Sequence, residues 1–288
     1  MRVLLVGCGY VASALARRLR ASGHELAAVV RTAGSAGRLA ELGLEARAAD
    51  CRDARDARRA CAGTFDAVVF SLSANGGDYR EVYVDALRNV LEGLAGAPRF
   101  LYAGSSSVYG ESGGGWVDEA TPPAPATPNA RVLLEAEELL AARASGRFAA
   151  FAVRLSGIYG PGRAHLLDLL RSGAAVLPGR ADAWVNRIHR DDAASALAHL
   201  LALPPGAAGC ATFNATDDEP SRQGDVARWI CERLGRPPPR FDDAAPPARH
   251  GAGAGANRRI SNARLRATGW RPSLPSYREG FLPFLQTA

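Results

Sequence analysis

Short apolar runs alternate with amphipathic stretches through the first half of the chain. Val3 to Val6 is an aliphatic, partly β-branched run closed by Gly7. That is the signature of a strand buried on both faces. From Tyr10 to Ala21, apolar Val11, Leu15 and Leu19 recur at four-residue steps, which predicts a helix ended by Gly23. The same reading predicts strands at Glu25–Val30, Ala46–Ala49, Asp66–Leu72 and Arg99–Ala103. Helices are expected near Ser35–Leu42, Ala54–Ala62 and Tyr79–Leu94. Strand and helix alternating this strictly imply an α/β protein, a doubly wound parallel sheet with crossover helices. Gly110 to Pro128 is rich in Gly, Pro, Ser and Thr and reads as a loop. A helix at Arg131–Ala142 and a strand at Phe148–Leu155 follow. A helix at Asp191–Leu203 and a strand at Cys210–Asn214 return to the sheet, and Pro237–Asn257, rich in Pro, Ala and Gly, reads as mobile.

Composition narrows the chemistry. The chain has 288 residues, enough for roughly two domains. Its 35 basic and 29 acidic residues leave +6, with no basic stripe interleaved with aromatics, so nucleic acid is not an expected partner. All the basic residues are arginine, and lysine is absent throughout. No step here can therefore use a lysine ammonium or Schiff base. Cys8, Cys51, Cys61, Cys210 and Cys231 form no C-x-x-C, and no metal is expected. No apolar run is long enough to span a membrane, and the opening MRVLLVGCGY does not read as a secretory signal, which points to the cytoplasm.

Gly7-Cys8-Gly9-Tyr10-Val11-Ala12 spells G-x-G-x-x-A between the first strand and the first helix. In that context the pattern is a dinucleotide fingerprint. Gly7 permits the tight turn, Gly9 lets a pyrophosphate approach, and Ala12 lets the helix pack closely. Tyr10 and Val11 open the helix, whose N-terminal N–H groups face the phosphates. An NAD site usually carries an acid at the end of the second strand to bond the ribose 2′-hydroxyl. Here Arg31 stands there. A guanidinium can grip a 2′-phosphate with charge-assisted bonds of roughly 1.5–3 kcal/mol each, so NADP(H) is favoured over NAD(H). Arg38 is a second contact or an ordinary surface residue. Asp50 and Cys51 are expected beside the adenine, and Leu72, Ser73 and Ala74 over the same crevice.

Several segments, in order, carry a family likeness. They are Ala103-Gly104-Ser105-Ser106-Ser107-Val108-Tyr109-Gly110, Arg154-Leu155-Ser156-Gly157-Ile158-Tyr159-Gly160-Pro161-Gly162, Asn186-Arg187-Ile188-His189-Arg190-Asp191-Asp192, Phe213 to Pro220, and Gly269-Trp270-Arg271-Pro272. The chain resembles the extended short-chain dehydrogenase/reductases, the NAD(P)-dependent sugar epimerase/dehydratase group. The resemblance implies a Rossmann-type domain, expected over 1–160 and about 186–216. A smaller C-terminal substrate-binding region is expected over about 161–185 and 217–288. It implies a small polar substrate, nucleotide-linked or anionic, and pairing of two copies through helices equivalent to Tyr79–Leu94 and Arg131–Ala142.

The family's Ser matches Ser105, but its Tyr-x-x-x-Lys pair falls on Asn129 and Leu133, so the chain looks like an atypical branch. Asn129 cannot titrate, and Leu133 carries no cation to lower a phenol pKa. Tyr109, Tyr159 and His189 are the candidate replacements for moving a proton, each with a wall or loop-bonding role as the alternative. Ser106 and Arg187 are candidate substrate contacts, and Asp192 is a candidate helix cap. Two functions remain open. One is an NADP(H)-dependent oxidoreductase or epimerase/dehydratase-like enzyme with a non-standard proton donor. The other is a non-catalytic NADP(H)-binding redox sensor or partner-binding protein.

Overall fold

The computed structural model describes residues 1–96, 98–204, 208–245 and 257–286. Its backbone separates into two compact units. The first comprises Met1–Val108, Pro125–Arg154 and Ala194–Phe213; the second comprises Tyr109–Ala124, Leu155–Ala193 and Asn214–Ala288. The second unit thus takes up the Tyr109–Ala124 stretch, which the sequence reading assigns to the dinucleotide-binding part.

The first unit is built on seven strands. They are β1 (Arg2–Val6), β2 (Glu25–Val30), β3 (Glu45–Ala48), β4 (Ala67–Phe70), β5 (Arg99–Ser105), β6 (Ala149–Leu155) and β7 (Gly209–Ala215). They form one parallel sheet in the order β7-β6-β5-β4-β1-β2-β3. The register is set by pairs such as Val3 with Leu26 and Leu5 with Val69. β4 is buried along its whole length and β1 after its first residue, as expected of parallel strands covered on both faces.

Among the described residues of this unit, helices α1 (Tyr10–Ala21), α2 (Ala33–Glu41), α3 (Ala54–Ala60), α4 (Ala86–Gly93) and α5 (Pro128–Ala144) accompany the sheet, together with most of the Arg190–Ala202 helix. A π-helical turn over Glu81–Asp85 leads into α4, so the Tyr79–Leu94 helix predicted as continuous is wound unevenly at its start. α5 begins earlier than the apolar pattern suggests. Pro128 fits the first helical position, and Thr127 accepts the Ala130 N–H at 3.2 Å. The core centres on Leu4, Val6, Phe70, Val84, Leu87, Phe100, Tyr102 and Leu140.

The second unit is assembled from short strand pairs and helices. Gly157–Tyr159 runs parallel to Arg187–His189, and Val176–Pro178 parallel to Arg240–Asp242. The latter strand lies inside Pro237–Asn257, so that stretch is partly regular, while its residues 246–256 lie outside the described ones. Trp116–Val117 pairs with Arg259–Ile260, placing a strand inside the predicted Gly110–Pro128 loop. A two-residue strand carries too little periodicity to be read locally. Leu167, Leu170, Val226, Ile230, Tyr277 and Phe281 make this unit's core. Among the described residues no helix is long and apolar enough to cross a membrane, and no cluster of His, Cys, Asp or Glu could hold a metal ion.

Candidate functional site

The first unit places a cradle at the carboxyl ends of β1 and β4, where the strand order reverses. In sheets of this kind ligands bind outside such a switch point. Gly7 has φ +87, and a Cβ there would lie 3.0 Å from Leu72 Cδ2, Leu72 N and Ser71 C. Only glycine fits both the backbone and the space. Ser71 Oγ donates to the Gly7 carbonyl at 2.9 Å, tying the two strand ends together. Gly9 is the N-cap of α1 with no side-chain cap, and the first turn carries no acid. Gly9 thus brings no side chain to cap the opening amides, and no carboxylate in the first turn repels an anion there. These features fit a dinucleotide diphosphate. Tyr10 and Val11, both partly exposed, form the start of α1, and Ala12 is buried behind them.

β2 ends at Val30, and Arg31 follows with its side chain exposed. Thr32 caps α2 by accepting the Ser35 N–H at 3.2 Å, and Arg38 donates to Ser35 Oγ at 3.0 Å. Thr32 and Ser35 were not singled out by sequence, although T-x-x-S ahead of a helix is a recognisable cap. Asp50 is held by Arg52 at 2.6 Å, which also reaches Glu81 at 2.9 Å. Arg52 holds the Asp50 carboxyl below the usual carboxylate range. Cys51 is buried, and that burial pushes its thiol up to about 12. Leu72 is partly exposed, Ser73 exposed and Ala74 buried.

Ser105 ends β5, partly exposed, with Oγ accepting the Ser107 N–H at 3.2 Å; Ser106 beside it is buried. Asn129 is exposed in the first turn of α5, and Leu133 is buried one turn later.

In the second unit, parallel pairing sets Tyr159 opposite His189 and Gly157 opposite Arg187. Side chains alternate along a strand, so Arg187, His189 and Tyr159 share one face. The Tyr159 and His189 rings meet edge-on at 5.5 Å. Tyr159 is buried, its ring against Phe281 at 4.6 Å and its hydroxyl 3.5 Å from the Ser276 carbonyl. Burial drives its phenol pKa up, so it is protonated and can donate but not act as a base. Tyr109 is buried elsewhere in this unit and donates to Asn214 Oδ1 at 2.9 Å. Asp192 lies within the first turn of the Arg190–Ala202 helix rather than ahead of it. Its carboxylate accepts the Ser273 and Leu274 N–H groups at 2.8 and 2.9 Å and anchors the segment before the last helix.

His189 Nδ1 accepts the Asp191 N–H at 3.2 Å, which places the ring proton on Nε2. Burial lowers its pKa from 6.5, against the pull of Asp191 and Asp192. The unfolded chain therefore takes up this proton more readily than the folded one. The stabilising contribution is full above about pH 6.5 and is lost as pH falls through the folded pKa. Denaturant midpoints measured from pH 7.5 to pH 5 should fall more steeply for the native protein than for His189→Asn. Parallel curves would refute this assignment.

The sheet order and the glycine cradle define a Rossmann-type α/β protein built to hold a dinucleotide. The model of the NAD dependent epimerase/dehydratase family matches residues 3–214, and the chain belongs to that family. It is 31% identical to a 3-diazoavenalumate denitrifying reductase from Streptomyces sp. over 97% of this chain and 99% of the relative. It is also similar to a Methylobacillus flagellatus structure assigned as an NAD-dependent epimerase/dehydratase. That match has 32% identity and TM-score 0.76, covering 99% of this chain and 97% of the other. The Thermus thermophilus UDP-glucose 4-epimerase, solved with NAD, shares the fold at 23% identity and TM-score 0.79, with 100% of both chains covered.

Proposed function

We propose that this protein is an NADP(H)-dependent oxidoreductase or epimerase/dehydratase-like enzyme acting on a small polar substrate. The observation that carries the cofactor choice is Arg31, an exposed guanidinium immediately after β2. An acid there would repel a 2′-phosphate, whereas Arg31 and the α2 N-terminus with Thr32, Ser35 and Arg38 attract one. Gly7, Gly9, Tyr10 and Val11 would hold the diphosphate, and Asp50, Cys51, Leu72, Ser73 and Ala74 would line the rest of the cofactor. When bound, the nicotinamide supplies or accepts a hydride. The reductase named among the relatives supports hydride chemistry in this chain too.

The chain's own residues must then manage the proton. Asn129 and Leu133 replace the family's Tyr and Lys in this reading, and neither can act as acid or base. Ser105 would bond the reacting oxygen. Among the candidates to move the proton, Tyr159 is a protonated donor, His189 presents its Nε2–H, and Tyr109 already spends its hydroxyl on Asn214. The test is titration of NADPH and NADH against the native protein and Arg31→Asp. The variant should lose about tenfold or more in NADPH affinity, with NADH affinity held or improved. Unchanged NADPH affinity would remove this reading. Tight NADPH binding with no turnover across a broad substrate panel would favour the sensor instead.

A further inference from the structure

Tyr109, Tyr159 and His189 all lie in the second unit, whereas Ser105 lies in the first. The first unit carries a phenol of its own near Ser105. After β4 the chain makes a tight turn. Asn75 (φ +46) and Gly76 (φ +88) are both left-handed, and the Gly77 N–H donates to the Ala74 carbonyl at 2.7 Å. That is the type I′ turn that an Asn-Gly pair favours. Ser73 leads into it, exposed, with Oγ donating to Asn75 Oδ1 at 3.1 Å. Ser73 and Ser105 each stand three residues past a register pair, Phe70 opposite Tyr102, on neighbouring parallel strands. Such strands run about 4.8 Å apart, so the two serines leave the sheet as neighbours. Tyr83 reaches this turn from the π-helical stretch Glu81–Asp85, a backbone form frequent at functional sites. It is partly exposed, its hydroxyl meets the Ser73 hydroxyl and the Ala74 backbone, and the Tyr79 ring backs its own at 5.2 Å. The π-helical stretch packs against α5, where Arg80 clamps Glu135 through two contacts of 2.6 Å, two residues beyond Leu133. The titratable groups facing Tyr83 are Tyr79 and, on β5, Tyr102; the nearby Arg80 and Glu81 are paired with Glu135 and Arg52.

We propose that Tyr83 is the catalytic proton donor, delivering its phenol proton to the substrate oxygen bonded by Ser105. This deepens, and rests on, the enzyme reading above. A phenol titrates near 10 and is protonated at neutral pH, and burial pushes Tyr83 higher still. With no lysine to lower that value, the group suits a reduction, which needs a donor, and not an oxidation, which needs a base. The acceptor carbon gains a hydride from NADPH, leaving NADP+, and the acceptor oxygen gains the Tyr83 proton. The phenolate left behind is held by the Ala74 backbone and the Ser73 hydroxyl, contacts that favour the ionised form. It regains a proton from water at the exposed Ser73.

The experiment follows tyrosinate absorbance of the full chain from about pH 7 to about pH 10.5, saturated with NADP+ or with NADPH. The chain has seven tyrosines. The two cofactor forms carry the same phosphates and differ in the positive charge of the oxidised ring. One phenol should therefore titrate about one pH unit or more lower with NADP+ than with NADPH. Tyr83→Phe should abolish that difference, whereas Tyr109→Phe and Tyr159→Phe should keep it. Ser73→Ala, which removes a contact to the phenolate, should move the titration back up. Identical titrations with both forms bound, or a difference that survives in Tyr83→Phe or vanishes in Tyr109→Phe or Tyr159→Phe, overturns the assignment. An unmoved titration in Ser73→Ala also counts against it. Binding of NADP+ and NADPH is measured in parallel: intact binding without the shift fails this inference alone, whereas absent binding fails the enzyme reading.

Discussion

Glu137→Leu is expected to destabilise the protein by about 3–5 kcal/mol, roughly 5–8 °C in melting temperature for a chain this long. Glu137 on α5 accepts Arg154 Nε at 3.1 Å on both oxygens and Nη2 at 2.7 Å on one. The two side chains are only 7% and 5% exposed. Burial pushes the Glu137 carboxyl up, and Arg154 pulls it back. Removing the acid strips a desolvated guanidinium of this carboxylate, which is the costly case. Replacing both as Glu137→Leu/Arg154→Met should recover most of the loss, because the pair's own desolvation is then avoided as well. A double variant no more stable than Glu137→Leu would contradict this account. The pair also abuts the end of β5. A Cβ on Gly104 would lie 2.8 Å from Tyr102 Cε1 and 3.5 Å from Glu137 Oε1, so the ion pair underpins the β5 end that carries Ser105.

Gly280→Ala is the second large effect. In an unobstructed helix the change would stabilise by up to about 1 kcal/mol. Here a Cβ on Gly280 would lie 1.7 Å from the Tyr159 hydroxyl oxygen, 2.5 Å from Cζ and 2.8 Å from Cε2. Overlap of that depth forces the Tyr277–Leu285 helix away from the ring. Overpacking typically costs about 1–3 kcal/mol, so the clash outweighs the propensity gain and a net loss near 2 kcal/mol is expected. Tyr159→Phe alone should cost less than about 1 kcal/mol, since the hydroxyl's bond to Ser276 is 3.5 Å long. Combined with Gly280→Ala it should return part of the loss, because the nearest clashing atom is gone. Chemical denaturation of the three variants measures this. A Gly280→Ala protein as stable as the native one would show that the helix does not seat on Tyr159.

Much of the first unit was legible because its signals are local. Apolar runs mark β1, β2 and β4, and the glycine spacing of Gly7 and Gly9 sits where a strand gives way to a helix. The exchange of an acid for Arg31 needs only a count along the second strand. The second unit was less legible. Trp116–Val117 finds its partner at Arg259–Ile260, far along the chain. Asp217 and Asp218 are indistinguishable as letters, yet one is sealed beside Arg187 while the other meets Arg266 at 2.9 Å. Gly280 shows no turn signal at all; its reason is a ring brought from Tyr159.

By itself, then, the order of residues determined a parallel α/β sheet, a glycine cradle at its first turn, a cation in place of an acid, and a chemistry without lysine. Those properties depend on neighbours within a turn or a strand. Only the tertiary structure decided which face Arg187, His189 and Tyr159 share, which aspartate loses its water, and which tyrosine hydroxyls are already engaged. Burial and strand partners are set by segments distant along the chain, and desolvation, which fixes a group's protonation and its need for a partner, follows from that packing.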